Sequence, residues 1–91
     1  MIILLIVGKP DAGTAFRIAR RVAVQGKKLV ILFVGAGCGI AQDAEQVEAL
    51  GFARLYALNT DCPDPAPGVT TVDYSGWVRL LEYCNKTVSW T

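Results

Sequence analysis

Two runs, Ile2–Val7 and Leu29–Val34, are apolar at every position, rich in β-branched residues, and closed by Gly8 and Gly35. An alternating run would suit a strand with one wet face. A continuous one suits a strand buried on both faces, as in a parallel sheet covered by helices. Each run is followed by a segment of helical period. From about Thr14 to Gln25, Phe16, Ala19, Val22 and Ala23 face one way, while Arg17, Arg20 and Arg21 share the other side; Gly26 ends the segment in the position after the cap. From roughly Ile40 to Leu50, the positions Ile40, Ala41, Ala44, Val47 and Leu50 turn inward, and Gly51 stops the helix. A third buried strand follows at Leu55–Leu58. Strand, helix, strand, helix, strand reads as a βαβαβ unit with right-handed crossovers.

Beyond the third strand the alternation falters. Asn59–Gly68 contains Pro63, Pro65 and Pro67, which exclude a regular helix interior and predict an extended loop. Val69–Val72 reads as a short strand. A last helix is expected from near Ser75, its N-cap, with Trp77, Leu80, Leu81 and Cys84 at helical spacing and a short tail through Val88–Trp90. The expected architecture is one α/β domain over residues 1–91: three layers, with a mostly parallel sheet of four or five strands and helices on both faces.

Ninety-one residues bury only about 60–65% of the extended chain's surface. The chain is nonetheless 53% hydrophobic, with a mean hydropathy of +0.39. That apolar surplus fits either a sheet buried on both faces or a surface covered by a partner. The net charge of +1 provides no global attraction to nucleic acid or membrane. The charge is uneven: residues 1–28 hold Lys9, Arg17, Arg20, Arg21, Lys27 and Lys28 against Asp11 alone. The segment fits a solvated helix face or a surface for an acidic partner. Ile2–Val7 is too short to span a membrane and lacks the flanks of a signal peptide. Three well-separated cysteines with no C-x-x-C pair suit a reducing cytoplasm, and the absence of histidine removes the usual zinc and His-dependent catalytic patterns.

The candidate chemistry lies where the strands end. In a parallel sheet all strands end at one edge, which places Cys38, Cys62 and Lys9 along it. Cys38 opens a helix, where amides and macrodipole favour thiolate. Cys62 sits in the proline loop beside Asp61 and Asp64, where an exposed thiol is expected. Both are candidate sulfur carriers; both also fit unreactive small residues. Cys84, on the inner stripe of the last helix, reads as core. Gly35-Ala36-Gly37-Cys38-Gly39 begins like a dinucleotide-binding turn, but the third glycine falls one residue early and the turn follows the second strand. Gly35, Gly37 and Gly39 remain a weak candidate for a small anion or nucleotide. Trp77, Tyr74, Tyr83 and Trp90 fit a core or interface, or a stacking platform.

The order Tyr56-Ala57-Leu58, Asp61, Val72-Asp73-Tyr74, Val78-Arg79-Leu80 and terminal Trp90 resembles the DsrH/TusB family, small subunits of bacterial sulfur-relay complexes. Gly8-Lys9-Pro10 looks like that family's polar-Pro break after the first strand. The resemblance implies a DsrE/DsrF-like α/β fold and assembly with DsrE/TusD-like and DsrF/TusC-like subunits. It also implies support of persulfide transfer toward wobble-uridine 2-thiolation of tRNA or within sulfur oxidation. With the composition, this leads us to expect no cofactor, no metal, no membrane contact and no direct nucleic-acid binding, and self-association through apolar helix faces when the chain is isolated. Three places depart from the family's pattern. Ala36-Gly37 stands where an Asp-Gly turn is usual. The first helix has no cysteine near Ala19. Cys62-Pro63-Asp64-Pro65-Ala66-Pro67 replaces a short helix ending in Arg-Gly. A stand-alone sulfurtransferase using Cys62 or Cys38 is the alternative these residues leave open.

Overall fold

A computed structural model describes residues 1–91. The two continuous apolar runs form β1 (Ile2–Val7) and β2 (Lys28–Phe33), hydrogen-bonded in parallel register from Ile2 opposite Lys28 to Val7 opposite Phe33. The third apolar run is β3 (Arg54–Leu58), followed by β4 (Val69–Val72) and β5 (Lys86–Trp90). All pairings are parallel and the spatial order is β4-β3-β2-β1-β5. This confirms the three-layer α/β architecture and places the sheet at five strands, all parallel.

The helices are α1 (Gly13–Val24), α2 (Cys38–Ala41), α3 (Ala44–Ala49) and α4 (Tyr74–Tyr83), with a 3₁₀ turn at Gly35–Gly37. The strand order decides which face each covers. β1 to β4 step in one direction, so right-handed crossovers put α1, α2 and α3 on one face. The return from β4 to β5 runs the other way and puts α4 on the other face. The core divides accordingly. Leu5, Val7, Leu29, Ile31, Phe33, Leu55 and Ala57 pack with Ala15, Ala19, Ile40, Val47 and Leu50. Leu4, Ile6, Val30 and Leu32 pack with Leu80 and Cys84.

Three local expectations are corrected. The helix expected over Ile40–Leu50 is two pieces, because Asp43 is extended (φ −93°, ψ 107°) and caps α3 by accepting from the Glu45 amide. An aspartate whose carboxylate offers the backbone an alternative partner favours a cap over a helix interior. The break leaves Ala44 exposed rather than inward. The last helix is capped by Asp73, which accepts from the Gly76 amide at 2.7 Å, and not by Ser75. Within it, Trp77, Leu80 and Cys84 pack inward, whereas Leu81 is exposed.

The expected C-terminal tail is instead edge strand β5, paired with β1 from Ile3 opposite Lys86 to Val7 opposite Trp90. Asn85 starts it: its amide donates to the Ile2 carbonyl at 2.8 Å and its side-chain oxygen accepts from the Ile2 amide at 2.8 Å. The far end is held by Trp90, whose Nε1 donates to the Asp11 carbonyl at 2.9 Å.

Candidate functional site

Leaving the sheet at its C-terminal edge, the chain turns sharply after β2. Gly35 adopts φ +50°, a conformation that glycine tolerates best, and Gly37 sits directly against the Val7 carbonyl, where a Cβ would overlap it. These two glycines press the start of α2 onto the ends of β1 and β2, and that carries Cys38 into the core.

The proline loop closes over it. Asp61 and Cys62 donate their amides to the Leu58 carbonyl at 3.1 and 2.8 Å, forming a turn directly after β3. The Ala66 amide donates to the Ala41 carbonyl at 2.8 Å, tying the loop to α2. Between these anchors Cys62 points inward, fully buried, with Sγ 3.9 Å from the Phe33 carbonyl oxygen. The exposed loop thiol expected at Cys62 is therefore not found. Cys38 and Cys62 are joined by a disulfide, their Cα atoms 5.5 Å apart, within the usual span of such a bond. Of the three cysteines, Cys84 alone is free; it is buried beneath α4, on the opposite face of the sheet, where burial pushes its thiol pKa up.

Around this pair the expected candidates part company. Asp61, exposed beside Cys62, turns its carboxylate to the Gly35 amide at 2.8 Å. The Gly37 amide donates to the Val34 carbonyl at 2.9 Å and the Cys38 amide to the Gly35 carbonyl. The chain's own acceptors thus take three of the turn's donors, one of them through an intrinsic carboxylate. Lys9 does lie at the same edge, but it stands over the Trp90 ring at 5.8 Å from the centroid. The four aromatics do not form one platform. Trp90 packs on the α1 face and Trp77 on the α4 face, where it stacks with Tyr74 at 6.1 Å.

Two apolar surfaces escaped the reading of the sequence. Along α4, beside its core stripe, Tyr74, Val78 and Leu81 are 61, 52 and 43% exposed. Their i, i+4, i+7 spacing, visible in the sequence, places them on one side of the helix. The second surface is a groove of about 450 Å³ between α1 and β5, lined by Ile3, Ile18, Val22, Val88 and Trp90 among others. Only β5's recognition as a strand discloses it. Of the three α1 arginines that share the outer face, Arg20 is partly engaged: it stacks over Phe52 and donates to the Ala49 carbonyl at 3.3 Å.

The fold is that of a DsrE/DsrF-like protein. Among solved structures the chain is similar to the crystal structure of the YchN protein from E. coli. The TM-score is 0.67 over 98% of this chain and 97% of that one, at 10% sequence identity. No family model matches the sequence, and no curated protein matches it significantly. No helix is long and apolar enough to cross a membrane.

Proposed function

We propose that the chain is a DsrH/TusB-like subunit of a sulfur-relay complex. It would complete the assembly and shape the surroundings of a persulfide cysteine held by a DsrE/TusD-like partner, alongside a DsrF/TusC-like subunit. The pathway served would be tRNA wobble-uridine 2-thiolation or sulfur oxidation. The observation that carries this reading is α4, whose apolar surface is wider than the sheet covers. One edge of that surface meets the sheet through Trp77, Leu80 and Cys84, and the adjoining edge presents Tyr74, Val78 and Leu81 to solvent. A surface helix normally buries its apolar stripe against the core, and an apolar strip left exposed beside it marks a partner. The burial of Cys38 and Cys62 supports placing the reacting thiol elsewhere. The test is a tagged pull-down from the native host with mass spectrometry of the eluate. Two stoichiometric DsrE- and DsrF-like proteins are expected; a chain that elutes without them overturns the reading.

The Cys38–Cys62 pairing favours a second reading, in which the chain carries sulfur itself. With the pair reduced and the loop open, a Cys62 persulfide would be attacked at its inner sulfur by the Cys38 thiolate. The new bond would be the disulfide, and hydrosulfide would leave. A polysulfide donor should then release sulfide from the reduced wild-type protein, while Cys38→Ala should retain one added sulfur atom. No mass gain in Cys38→Ala and no sulfide from the wild type would exclude it.

A further inference from the structure

The two exposed apolar surfaces lie on opposite faces of the sheet and differ in shape. On the α1 face, α1 packs against β1 and β2, and α2 and α3 extend the layer toward β3. Nothing continues that layer over β5. A helix is about 10 Å across and strands are about 4.8 Å apart, so one helix covers roughly two strands. The uncovered position beyond α1 is the groove, and its floor includes Val88, which is aligned with Leu5 of β1. Its wall is Ile18 of α1, 57% exposed. Along β5 from Lys86 to Trp90 the groove runs about 13 Å. The stripe from Tyr74 to Leu81 on α4 is about 10 Å long.

The charges also match. Lys27 and Lys86 are the charged residues lining the groove, with no acid among its lining residues. Helix α4 is flanked by Asp73 and carries Glu82 beside the stripe, against one Arg79. The groove has the width of one absent helix and the opposite sign to α4.

We infer that α4 of one copy docks its Tyr74–Val78–Leu81 stripe into the α1–β5 groove of a second copy. This rests on the reading of α4 as an interaction surface and specifies how it is covered when the chain is alone. Because stripe and groove are different patches of the same chain, the contact is head to tail, and an open oligomer retains one free stripe and one free groove, at its two ends, until a ring closes.

That asymmetry makes the test decisive. Val78→Arg spoils the stripe and leaves the groove intact, whereas Ile18→Arg spoils the groove and leaves the stripe intact. Both sites are solvent-exposed, so circular dichroism should show each variant folded. By sedimentation velocity, the wild type should form oligomers and each variant alone should be monomeric. An equimolar mixture should form a one-to-one dimer. A mixture that stays monomeric, a wild type that is monomeric at every concentration, or a variant that still self-associates overturns the inference. The pull-down result is separate: a missing relay partner sinks the relay reading without touching this contact, and a monomeric mixture sinks this contact without touching the relay role.

Discussion

Cys38 and Cys62, 24 residues apart in the chain, are bonded across the C-terminal edge of the sheet, and that bond fastens the proline loop to the start of α2. Closing a loop of this size restricts the unfolded chain and stabilises the oxidised protein by about 3 kcal/mol in the chain-entropy account. Cys62→Ser should lower the urea midpoint of the oxidised protein accordingly. Most of the difference should vanish when wild type and variant are compared in dithiothreitol. An equal difference in both conditions would mean that thiol packing, rather than the bond, accounts for it.

Thiol counting separates the third cysteine from the pair. The unreduced, denatured protein should expose one reactive thiol and the reduced, denatured protein three. In the native state at pH 8, Cys84 should react slowly, because burial raises its pKa and keeps the thiol protonated. A raised pKa contributes stability at pH values below the unfolded thiol's pKa, and that contribution is lost as pH climbs through the folded value. Denaturation midpoints measured across the alkaline range should therefore fall more steeply for the wild type than for Cys84→Ala.

Gly37 and Gly39 should respond in opposite ways to alanine. A Cβ at Gly37 overlaps the Val7 backbone carbonyl, and backbone cannot move aside as a flexible side chain can. Gly37→Ala should cost about 1–3 kcal/mol, the range for overpacking. Gly39 lies within α2 with nothing inside 4 Å of its Cβ position, so Gly39→Ala should be neutral or stabilising by up to about 1 kcal/mol. Thermal melts of the two variants check both signs.

The cap of α4 is Asp73, and its loss should show in stability. Asp73→Ala removes the acceptor for the Gly76 amide and should cost about 1 kcal/mol. Ser75→Ala changes an exposed residue beyond the cap and should fall within about 0.5 kcal/mol of wild type. Equal effects would return the cap to Ser75.

Asp43 should titrate below the ordinary aspartate range. Its carboxylate accepts from the Gln46 side chain at 3.0 Å, the main cause of the shift, and from the Glu45 amide at 3.1 Å. The lowered pKa makes its contribution to stability fully present above the unfolded aspartate's pKa. That contribution is lost as pH falls through the folded value. An NMR titration should show Gln46→Ala moving the Asp43 midpoint upward.

What the sequence alone settled is the part of the protein governed by local pattern. Continuous apolar runs specified β1, β2 and β3, because a strand buried on both faces cannot carry alternating polar residues. Helical spacing specified α1 and the inner stripe of α4. The prolines ruled out a helix over Asn59–Gly68. The caps at Asp43 and Asp73 were not settled this way. Apolar spacing runs on across Asp43 as one helix and points to Ser75 at the last helix, and only the hydrogen bonds made in the fold show where the backbone turns. The tertiary structure alone decided what depends on distance in space. Lys86–Trp90 alternates too briefly to declare itself, and it becomes a strand because β1 offers an open edge and Asn85 pins it there. Cys38 and Cys62 carry no spacing that announces a pair. They meet because β2 and β3 are neighbours whose ends are level, so the two connections leaving them are pressed together. The exposed stripe of α4 and the α1–β5 groove exist for the same reason: strand order sends one helix to a face of five strands and none to the space above β5.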